Sequence, residues 1–447
     1  MNHAHKAMTL ATRILWGLVV GVVAGAATLA IGQIWPAALA VMKSLASAVL
    51  DPFGQIFLRM LFFVVVPLVF ASLASGVAQL GRLDRLGPLA IRTFTLFFAN
   101  MAIAAVIGLA MMNALQPGRH LDPTAQQTLM VEYGGSARQT IDRHAEQPKM
   151  SFGVLVEMFM PRNLVGAVAG TSRATLGDVL PLIVFAILVG CAATQLDARR
   201  RRRVQHALDT TTELMTRIVD FALRLAPYAV PAMIYSVIVK VGVDVLLALS
   251  VFVIGCLVAL ALHLFGTMSL WIRLLARQSP ARFFRLIRPV LVTAFSTSSS
   301  NATLPTALAA ASEDLNLQPS TSGFVLPLGS TMNMSGTALF EGCVVLFVAQ
   351  VFGIDLSIGQ QAILMLLAVL SAVAVSGIPG GSLPLLAGLL GTFGIPPEGI
   401  GLVIGVDRIL DMARTTTNVG SDVVTAAVVD VQMRRAEARA VPTAVQE

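Results

Sequence analysis

The chain has 447 residues, of which 56% are hydrophobic and 12% are charged, and its mean hydropathy is +0.80. Soluble domains carry about 25% charged residues, so this composition excludes an ordinary soluble protein and indicates one that crosses a membrane many times. The net charge of +7 does not indicate a nucleic-acid partner, because the basic residues lie between apolar runs and not along one soluble face.

The three cysteines, Cys191, Cys256 and Cys343, lie within apolar segments and show no C-x-x-C spacing. This pattern indicates neither a disulfide framework nor a zinc site. We therefore interpret the cysteines as small packing residues and expect no bound cofactor.

Long apolar runs follow one another along the first part of the chain. The first run, residues 14–31, is too long for the core of a signal peptide, and further runs follow it. Each of the others is near or above the roughly 20 residues that are needed to cross a bilayer. These further predicted spans are residues 47–77, 88–115, 152–195, 208–238 and 243–274.

Arginine clusters separate pairs of these spans. The positive-inside rule places the clusters in the cytoplasm, together with both chain termini, and places the loop of residues 116–150 outside. The clusters contain Arg82, Arg85, Arg199 to Arg203, Arg277, Arg282, Arg285, Arg288, Arg434, Arg435 and Arg439.

Two apolar stretches are interrupted by small polar residues. The first interruption is STSSSNATLP, residues 296–305, and the second is SGIPGGSLP, residues 376–384. Flexible linkers would be polar along their flanks too, whereas these flanks are apolar. Each stretch therefore predicts a re-entrant hairpin with a buried or water-lined tip, and the pair suggests a repeat with a binding site at its junction.

Between the two hairpins lies LPLGSTMNMSGTALFEG, residues 326–342, an apolar helix with small polar residues in its middle. Such a cluster predicts an unwound turn whose carbonyl oxygens suit a small hard cation. The same residue types also serve close helix packing, so the pattern alone leaves both interpretations open.

The last apolar segment, residues 401–430, carries six polar side chains that fall within an arc of about 100° on a helix. A soluble amphipathic helix would show such a stripe, but the composition of the chain decides against it. Polar and ionisable groups at membrane depth are costly, which indicates a functional site facing the protein interior. The stripe consists of Asp407, Asp411, Arg414, Thr415, Asn418 and Asp422.

Four motifs together resemble those of the glutamate transporter homologues, the dicarboxylate/amino acid:cation symporters. They are the Ser-rich first tip, Asn-Met-x-Gly-Thr, Gly-x-Pro-Gly in the second tip, and Asp-Met-x-Arg-Thr-x-x-Asn-Val. The resemblance covers nearly the whole chain. It implies an all-α fold of eight transmembrane helices and two re-entrant hairpins, assembled as a homotrimer that works by an elevator motion.

The resemblance also divides the chain into domains. A static scaffold would comprise residues 11–77 and 152–238, and a moving transport domain would comprise residues 88–115 and 243–430. Residues 116–150 would form an extracytoplasmic loop and residues 431–447 a cytoplasmic tail.

The resemblance implies roles for residues of the last helix. Asp411 would take the substrate amino group, and Arg414 would pair with the side-chain carboxylate, for which a guanidinium fork is well suited. Further implied substrate contacts are Ser300, Thr337, Gly377, Ile378, Thr415 and Asn418.

Two sodium sites follow from the same resemblance. Asp422 would form one of them with the backbone carbonyls of Gly329, Asn333 and Asn418. The second would use backbone carbonyls only, from Thr331 and from the lead-in to the second tip. The residues of that lead-in are Ala372, Val373 and Val375.

The chain departs from the family pattern at a further sodium site. Ser335 stands where the family usually has an aspartate, and Phe97, Asn100 and Met101 stand where it usually has Tyr, Thr and Ser. Because the only fixed negative charge of that site is missing, we predict that the site is absent.

Two other departures concern charged residues. Ser298 replaces the arginine often found on the first tip, and Arg408, about 60° from Asp411 around the last helix, is a candidate to replace it. Glu341 falls where proton-coupled carriers have a glutamate. A lone carboxyl in an apolar helix is costly when ionised, so Glu341 is a candidate proton carrier.

These observations predict a secondary active symporter of a bacterial inner membrane, embedded in the lipid bilayer. It would import glutamate or aspartate with Na⁺, H⁺ or both, and would not be an enzyme. The alternatives within the family are a C4-dicarboxylate or a neutral amino acid symporter, which Asp411 and Arg414 respectively argue against. An intramembrane aspartyl protease needs two facing carboxyls, and a passive channel would show no uphill accumulation.

Overall fold

The computed structural model describes residues 10–80, 87–121, 160–169, 179–242, 244–374 and 382–440. Every secondary-structure element within these ranges is a helix. Six helices there are long and apolar enough to cross a membrane. They are Thr12–Ile34, Pro36–Ser75, Gly87–His120, Ala198–Lys240, Val245–Ala276 and Pro319–Val351. The chain is therefore an all-α integral membrane protein.

The described residues of the first half of the chain, which leave out 81–86, 122–159 and 170–178, form eight α-helices. They are α1 (Leu10–Ile34), α2 (Pro36–Leu45), α3 (Asp51–Phe63), α4 (Val65–Leu80), α5 (Gly87–Leu115), α6 (Leu164–Ala169), α7 (Val179–Thr194) and α8 (Ala198–Val241). A π-helical turn, Ala46–Leu50, joins α2 to α3, and a 3-10 turn, Pro117–His120, follows α5. The second predicted span, residues 47–77, is thus part of a longer helical path that begins at Pro36.

The arginine run at residues 199–203, which the sequence placed between two predicted spans, is part of helix α8. The reason is local. Asp197 precedes α8 and its carboxylate accepts hydrogen bonds from the backbone nitrogens of Arg199 and Arg200, at 3.1 and 3.0 Å. A capping carboxylate satisfies otherwise unpaired N–H groups, so α8 begins before the run.

In the second half, the described residues 244–374 and 382–440 form ten α-helices. They are α9 (Asp244–Ala261), α10 (Met268–Trp271), α11 (Pro280–Leu286), α12 (Arg288–Thr297), α13 (Ser300–Glu313), α14 (Pro319–Met332), α15 (Ser335–Val351), α16 (Ile358–Ala374), α17 (Leu383–Thr392) and α18 (Ile400–Ala440). Two π-helical turns, Leu262–Thr267 and Ile272–Ala276, flank α10, and a 3-10 turn, Pro397–Gly399, precedes α18.

Helices α12 and α13 meet at a tip of two residues, Ser298 and Ser299, which is shorter than the predicted tip of residues 296–305. Ser298 adopts the left-handed conformation with φ of 50°, and the Ser299 hydroxyl accepts a hydrogen bond from the Ala302 backbone nitrogen at 3.2 Å. This N-cap starts the returning helix early. Residues 375–381, which include most of the second predicted tip, lie outside the described residues.

The centre of the molecule is α15, all 17 residues of which are buried. It packs against α5 and α18, and α18 also packs against α9, α12 and α14. The last helix runs to Ala440, so the predicted tail that starts at residue 431 is helical over its first part. Asp430 fixes this end, accepting hydrogen bonds from the Gln318 backbone nitrogen at 2.9 Å and from Arg434 Nε at 2.7 Å.

Helix α1 packs mainly against α8, and the two backbones come very close. A Cβ added at Gly17 would lie 2.9 Å from the backbone oxygen of Pro227, and one added at Gly21 would lie 2.7 Å from that of Pro231. Only glycine permits this approach, so α1 and α8 form a tightly fitted pair.

Candidate functional site

The predicted unwound turn is present between α14 and α15, at Asn333 and Met334. The first N–H groups of α15 need acceptors, and α18 supplies one. The side-chain oxygen of Asn418 accepts hydrogen bonds from the backbone nitrogens of Gly336 and Thr337, at 2.7 and 3.3 Å. A side chain of the last helix therefore caps the second half of the broken helix.

Two glycines allow α18 to lie directly against this break. A Cβ added at Gly329 would meet the Asp422 Oδ1 atom at 2.5 Å, and one added at Gly336 would meet the Arg414 backbone oxygen at 2.4 Å. Such distances are below those of real Cβ contacts, so side chains at these positions would push the helices apart. The glycines hold the polar stripe of α18 over the unwound turn.

The six residues of the predicted stripe are all buried, with exposed fractions between 2% and 7%. The prediction that this face of the last helix points into the protein is therefore confirmed. Ser300 and Thr337 are buried as well, at 3% and 2% exposure. Two of the predicted substrate contacts, Gly377 and Ile378, lie outside the described residues.

Arg414 is the centre of a buried charge cluster on α18. Its Nη2 and Nε atoms lie 2.8 and 3.0 Å from Asp411 Oδ1, and its Nη1 atom lies 3.1 Å from Asp407 Oδ1. The guanidinium carbon is 4.5 Å from the centre of the Phe340 ring, a cation–π distance. Arg408 Nη1 is 3.4 Å from the second oxygen of Asp411, so the four charged groups sum to zero.

The carboxylates of Asp407 and Asp411 thus bind the Arg414 guanidinium at the same time. The sequence placed Asp407 on the stripe but gave it no role, because it is separated from Arg414 by two helical turns. The long arginine side chain spans that distance. The predicted position of Arg408 near Asp411 is also found, whereas Ser298, which replaces an arginine, is buried at 1% exposure.

Asp422 lies about two helical turns after Arg414 on α18 and accepts a hydrogen bond from Asn333 Nδ2 at 2.8 Å. The same nitrogen is 3.2 Å from the Ser421 hydroxyl, which lies 3.0 Å from that of Ser335. The structure thus brings together Asp422, Asn333 and Gly329, three of the residues predicted for a cation site. The carboxylate of Asp422 is an oxygen ligand of the kind that a hard cation prefers.

The residues predicted for the second cation site are only partly described. Ala372 and Val373 are buried near the end of α16, at 0% and 8% exposure, and Thr331 lies in the last turn of α14. Helices α14 and α16 pack against each other, which brings the two segments together. Val375 lies outside the described residues.

The positions where the chain departs from the family pattern are filled by a packed group. Phe97, Asn100 and Met101 are buried on α5, at 1%, 0% and 0% exposure. Asn100 Nδ2 donates to Asn333 Oδ1 at 2.9 Å, and His263 Nε2 is 2.9 Å from Asn100 Oδ1. Sequence reasoning missed His263, although an ionisable residue within an apolar span was a signal for it.

Glu341 is fully buried in α15 and accepts a hydrogen bond from the Ser371 hydroxyl of α16 at 3.1 Å. Its other oxygen, Oε2, is buried and has no hydrogen-bond partner among the described residues. The carboxyl therefore links the central helix α15 to α16. Sequence reasoning did not find Ser371, which had no distinguishing neighbour in the chain.

A family model described as the sodium:dicarboxylate symporter family matches residues 10–432. The chain belongs to this family. The predicted resemblance is thereby confirmed, and members of the sodium:dicarboxylate symporter family are transporters, which is consistent with the prediction that the chain is not an enzyme.

Curated members of the sodium:dicarboxylate symporter family align over most of the chain. A proton/sodium-glutamate symport protein of Bacillus caldotenax is 31% identical over 92% of this chain and 91% of its own length. A proton/glutamate-aspartate symporter of Escherichia coli (strain K12) is 32% identical over 83% of this chain and 82% of its own length. A C4-dicarboxylate transport protein of Bacillus subtilis (strain 168) is 28% identical over 93% of this chain and 92% of its own length.

Proposed function

We propose that the chain is a secondary active symporter that imports glutamate or aspartate together with Na⁺, H⁺ or both. The observation that carries this proposal is the buried guanidinium of Arg414 held between Asp407 and Asp411. Arg414 is 2% exposed and has a carboxylate on each side. A substrate carboxylate can replace one of these two internal partners without leaving the guanidinium unpaired.

This exchange of carboxylates on Arg414 accounts for selectivity toward acidic amino acids. A substrate carboxylate that binds Arg414 releases Asp411, whose charge then pairs with the substrate ammonium. Asp407, which lies 3.1 Å from the guanidinium in this structure, would keep its contact and hold Arg414 in place. An acidic amino acid offers both the carboxylate and the ammonium that this arrangement needs, so no buried charge is left alone.

Coupling to cations is supported by Asp422 beside the unwound turn. Moving one charge through 100 mV yields about 2.3 kcal/mol, and each tenfold of accumulation costs about 1.4 kcal/mol. A substrate with one net negative charge cancels one cation, so electrical drive requires two or more cations per cycle. Na⁺ at Asp422 and a proton on Glu341 would together meet that requirement, and no further cofactor is needed.

The proposed architecture is that of the family: eight transmembrane helices and two re-entrant hairpins, in a homotrimer of a bacterial inner membrane with both termini in the cytoplasm. The packing supports the division into scaffold and transport domains. Helices α1, α3 and α4 pack against α8, and α9, α12, α14 and α15 pack against α18, which α1 and α8 also contact. An elevator motion would move the second group against the first.

Other functions fit the geometry less well. A C4-dicarboxylate, the substrate in the name of one relative, would leave Asp411 without an ammonium. A neutral amino acid would leave Arg414 without a new carboxylate. For an aspartyl protease two carboxyls must face each other, whereas Asp407 and Asp411 are both bound to Arg414.

Uptake into liposomes tests the proposal. The purified protein is reconstituted, sodium and proton gradients are imposed separately, and labelled L-glutamate, L-aspartate, succinate and L-alanine are compared. We expect uphill accumulation of an acidic amino acid that requires one or both gradients. Preferred uptake of succinate would replace the substrate assignment, and equilibration without accumulation would indicate a passive channel.

A further inference from the structure

His263 is fully buried in the π-helical turn Leu262–Thr267, within the apolar span Val245–Ala276. Burying an ionisable ring within a membrane span costs free energy, which indicates that the ring has a functional role. Its Nε2 atom is 2.9 Å from Asn100 Oδ1, and its Nδ1 atom is buried without a hydrogen-bond partner among the described residues. The ring therefore has one engaged nitrogen and one that is free to gain or lose a proton.

His263 stands at the end of a buried hydrogen-bond chain that leads to Asp422. An ionised carboxylate only accepts hydrogen bonds, so Asn333 must turn its NH₂ group toward Asp422, at 2.8 Å. The Asn333 oxygen then accepts from Asn100 Nδ2 at 2.9 Å, which leaves the Asn100 oxygen facing His263. The ring must donate from Nε2, so the charge of Asp422 fixes the tautomer of a histidine three hydrogen bonds away.

The same chain has a second arrangement, in which the two hydrogen bonds Asn333–Asn100 and Asn100–His263 are reversed and a cation replaces the hydrogen bond from Asn333 to Asp422. A hard cation on Asp422 prefers the oxygen of Asn333 and repels its NH₂ group. If Asn333 turns its oxygen toward the cation, its NH₂ group donates to the Asn100 oxygen, and the Asn100 NH₂ group then points at His263. This arrangement is satisfied only if Nε2 accepts, which places the ring proton on Nδ1.

We infer that cation binding at Asp422 reverses the chain Asn333–Asn100–His263 and moves the proton of the neutral His263 ring from Nε2 to Nδ1. This inference rests on the cation site proposed above. Exchange with water supplies one proton at Nδ1 and takes one from Nε2, so no net proton is bound. A histidine suits the end of the chain because it can donate or accept at the same nitrogen, which a purely apolar side chain cannot do.

Nitrogen NMR of the protein in liposomes, with ¹⁵N-labelled histidine, tests the inference, because the two ring nitrogens report which of them carries hydrogen. The signal lost in His263→Gln identifies His263, and the glutamine amide can satisfy Asn100 in either direction. If that variant does not fold, replacing the other histidines leaves His263 as the single signal. They are His3, His5, His120, His144 and His206.

NaCl is titrated against choline chloride, and the melting temperature is followed in parallel as a measure of Na⁺ binding. We expect the Nδ1–H form to rise from the minor to the major species, with a half-saturating Na⁺ concentration within about threefold of that for the melting temperature. In Asn100→Leu the tautomer should no longer respond to Na⁺. Asn113→Leu is the matched control, because Asn113 lies on the same helix and bonds to Gln361 at 2.7 Å, away from the chain.

The outcomes separate the inference from the function on which it rests. If Na⁺ raises the melting temperature while His263 keeps its proton on Nε2, the reversal is wrong and the cation site stands. The reversal is also wrong if the tautomer of Asn100→Leu still follows Na⁺. If Na⁺ changes neither the melting temperature nor the tautomer of the unmodified protein, the sodium part of the proposed function fails together with the inference.

Discussion

Replacing Arg414 with cysteine removes the cation that holds the candidate substrate site together. The side chain is 2% exposed and makes three contacts of 2.8–3.1 Å with Asp407 and Asp411. In a binding site, removing one partner of a buried, hydrogen-bonded charge pair costs about 2–5 kcal/mol of binding free energy. At about 1.4 kcal/mol per tenfold, the half-saturating concentration of an acidic substrate should rise by roughly one and a half to three and a half powers of ten.

The assay is uptake of labelled L-glutamate and L-serine into liposomes, with the melting temperature measured beside it. Arg414→Cys should lose glutamate uptake and gain some serine uptake, because Asp411 still takes the ammonium group. Part of the lost glutamate uptake will come from lower stability, because without Arg414 the buried carboxylates of Asp407 and Asp411 repel each other. The double variant Asp407→Asn/Arg414→Cys removes one of these charges, so its melting temperature should recover while glutamate uptake stays lost.

The reasoning is refuted if Arg414→Cys transports glutamate with an unchanged half-saturating concentration. It is also refuted if the double variant regains glutamate uptake, since the effect of Arg414 would then be one of stability alone.

Three further changes test other parts of the site. Asp422→Asn should raise the half-saturating Na⁺ concentration of uptake by tenfold or more, whereas Asp411→Asn should chiefly weaken substrate binding; equal Na⁺ shifts in both would contradict separate roles for the two carboxyls. Glu341→Gln, which imitates a permanently protonated carboxyl, should abolish uptake driven by a proton gradient and keep substrate exchange; full proton-driven uptake in this variant would exclude Glu341 as the carrier. Gly336→Ala should lower the melting temperature and uptake, because its Cβ would lie 2.4 Å from a backbone oxygen of α18, and overpacking costs about 1–3 kcal/mol. The control is Gly323→Ala in α14, where the added Cβ meets nothing within 4 Å; an equal loss there would contradict the close-approach argument.

Much of the site was predictable because its signals are local. Polar residues at helical spacing in an apolar segment identified the buried stripe of α18. The small polar cluster around Asn333 indicated a break between α14 and α15 but left close helix packing as an alternative. Both signals depend on the cost of polar groups in a membrane, which leaves few alternative arrangements.

The parts that the sequence did not predict depend on tertiary contacts or on side-chain reach. Asn418 caps a different helix, and the contact between Asp407 and Arg414 depends on how a long side chain is oriented. His263 acquires a partner only when α5 packs beside its helix. Helix α8 extends through the arginine run, ahead of the predicted span of residues 208–238, and its start is set by the Asp197 cap.

The close fit of α1 against α8 has a consequence for how the protein is made. Pro231 has no N–H to donate to the carbonyl of Pro227, and that carbonyl faces Gly17 of α1. In hydrocarbon an unpaired carbonyl is unfavourable, so α8 enters the bilayer with a defect that α1 covers. Helix α1 is synthesised before α8, and its segment has a mean hydropathy of 2.3, against 1.5 for the segment of α8. It can therefore insert into the bilayer alone, before α8 is made. The first helix is therefore expected to be in place to cover this carbonyl when the span Ala198–Lys240 inserts.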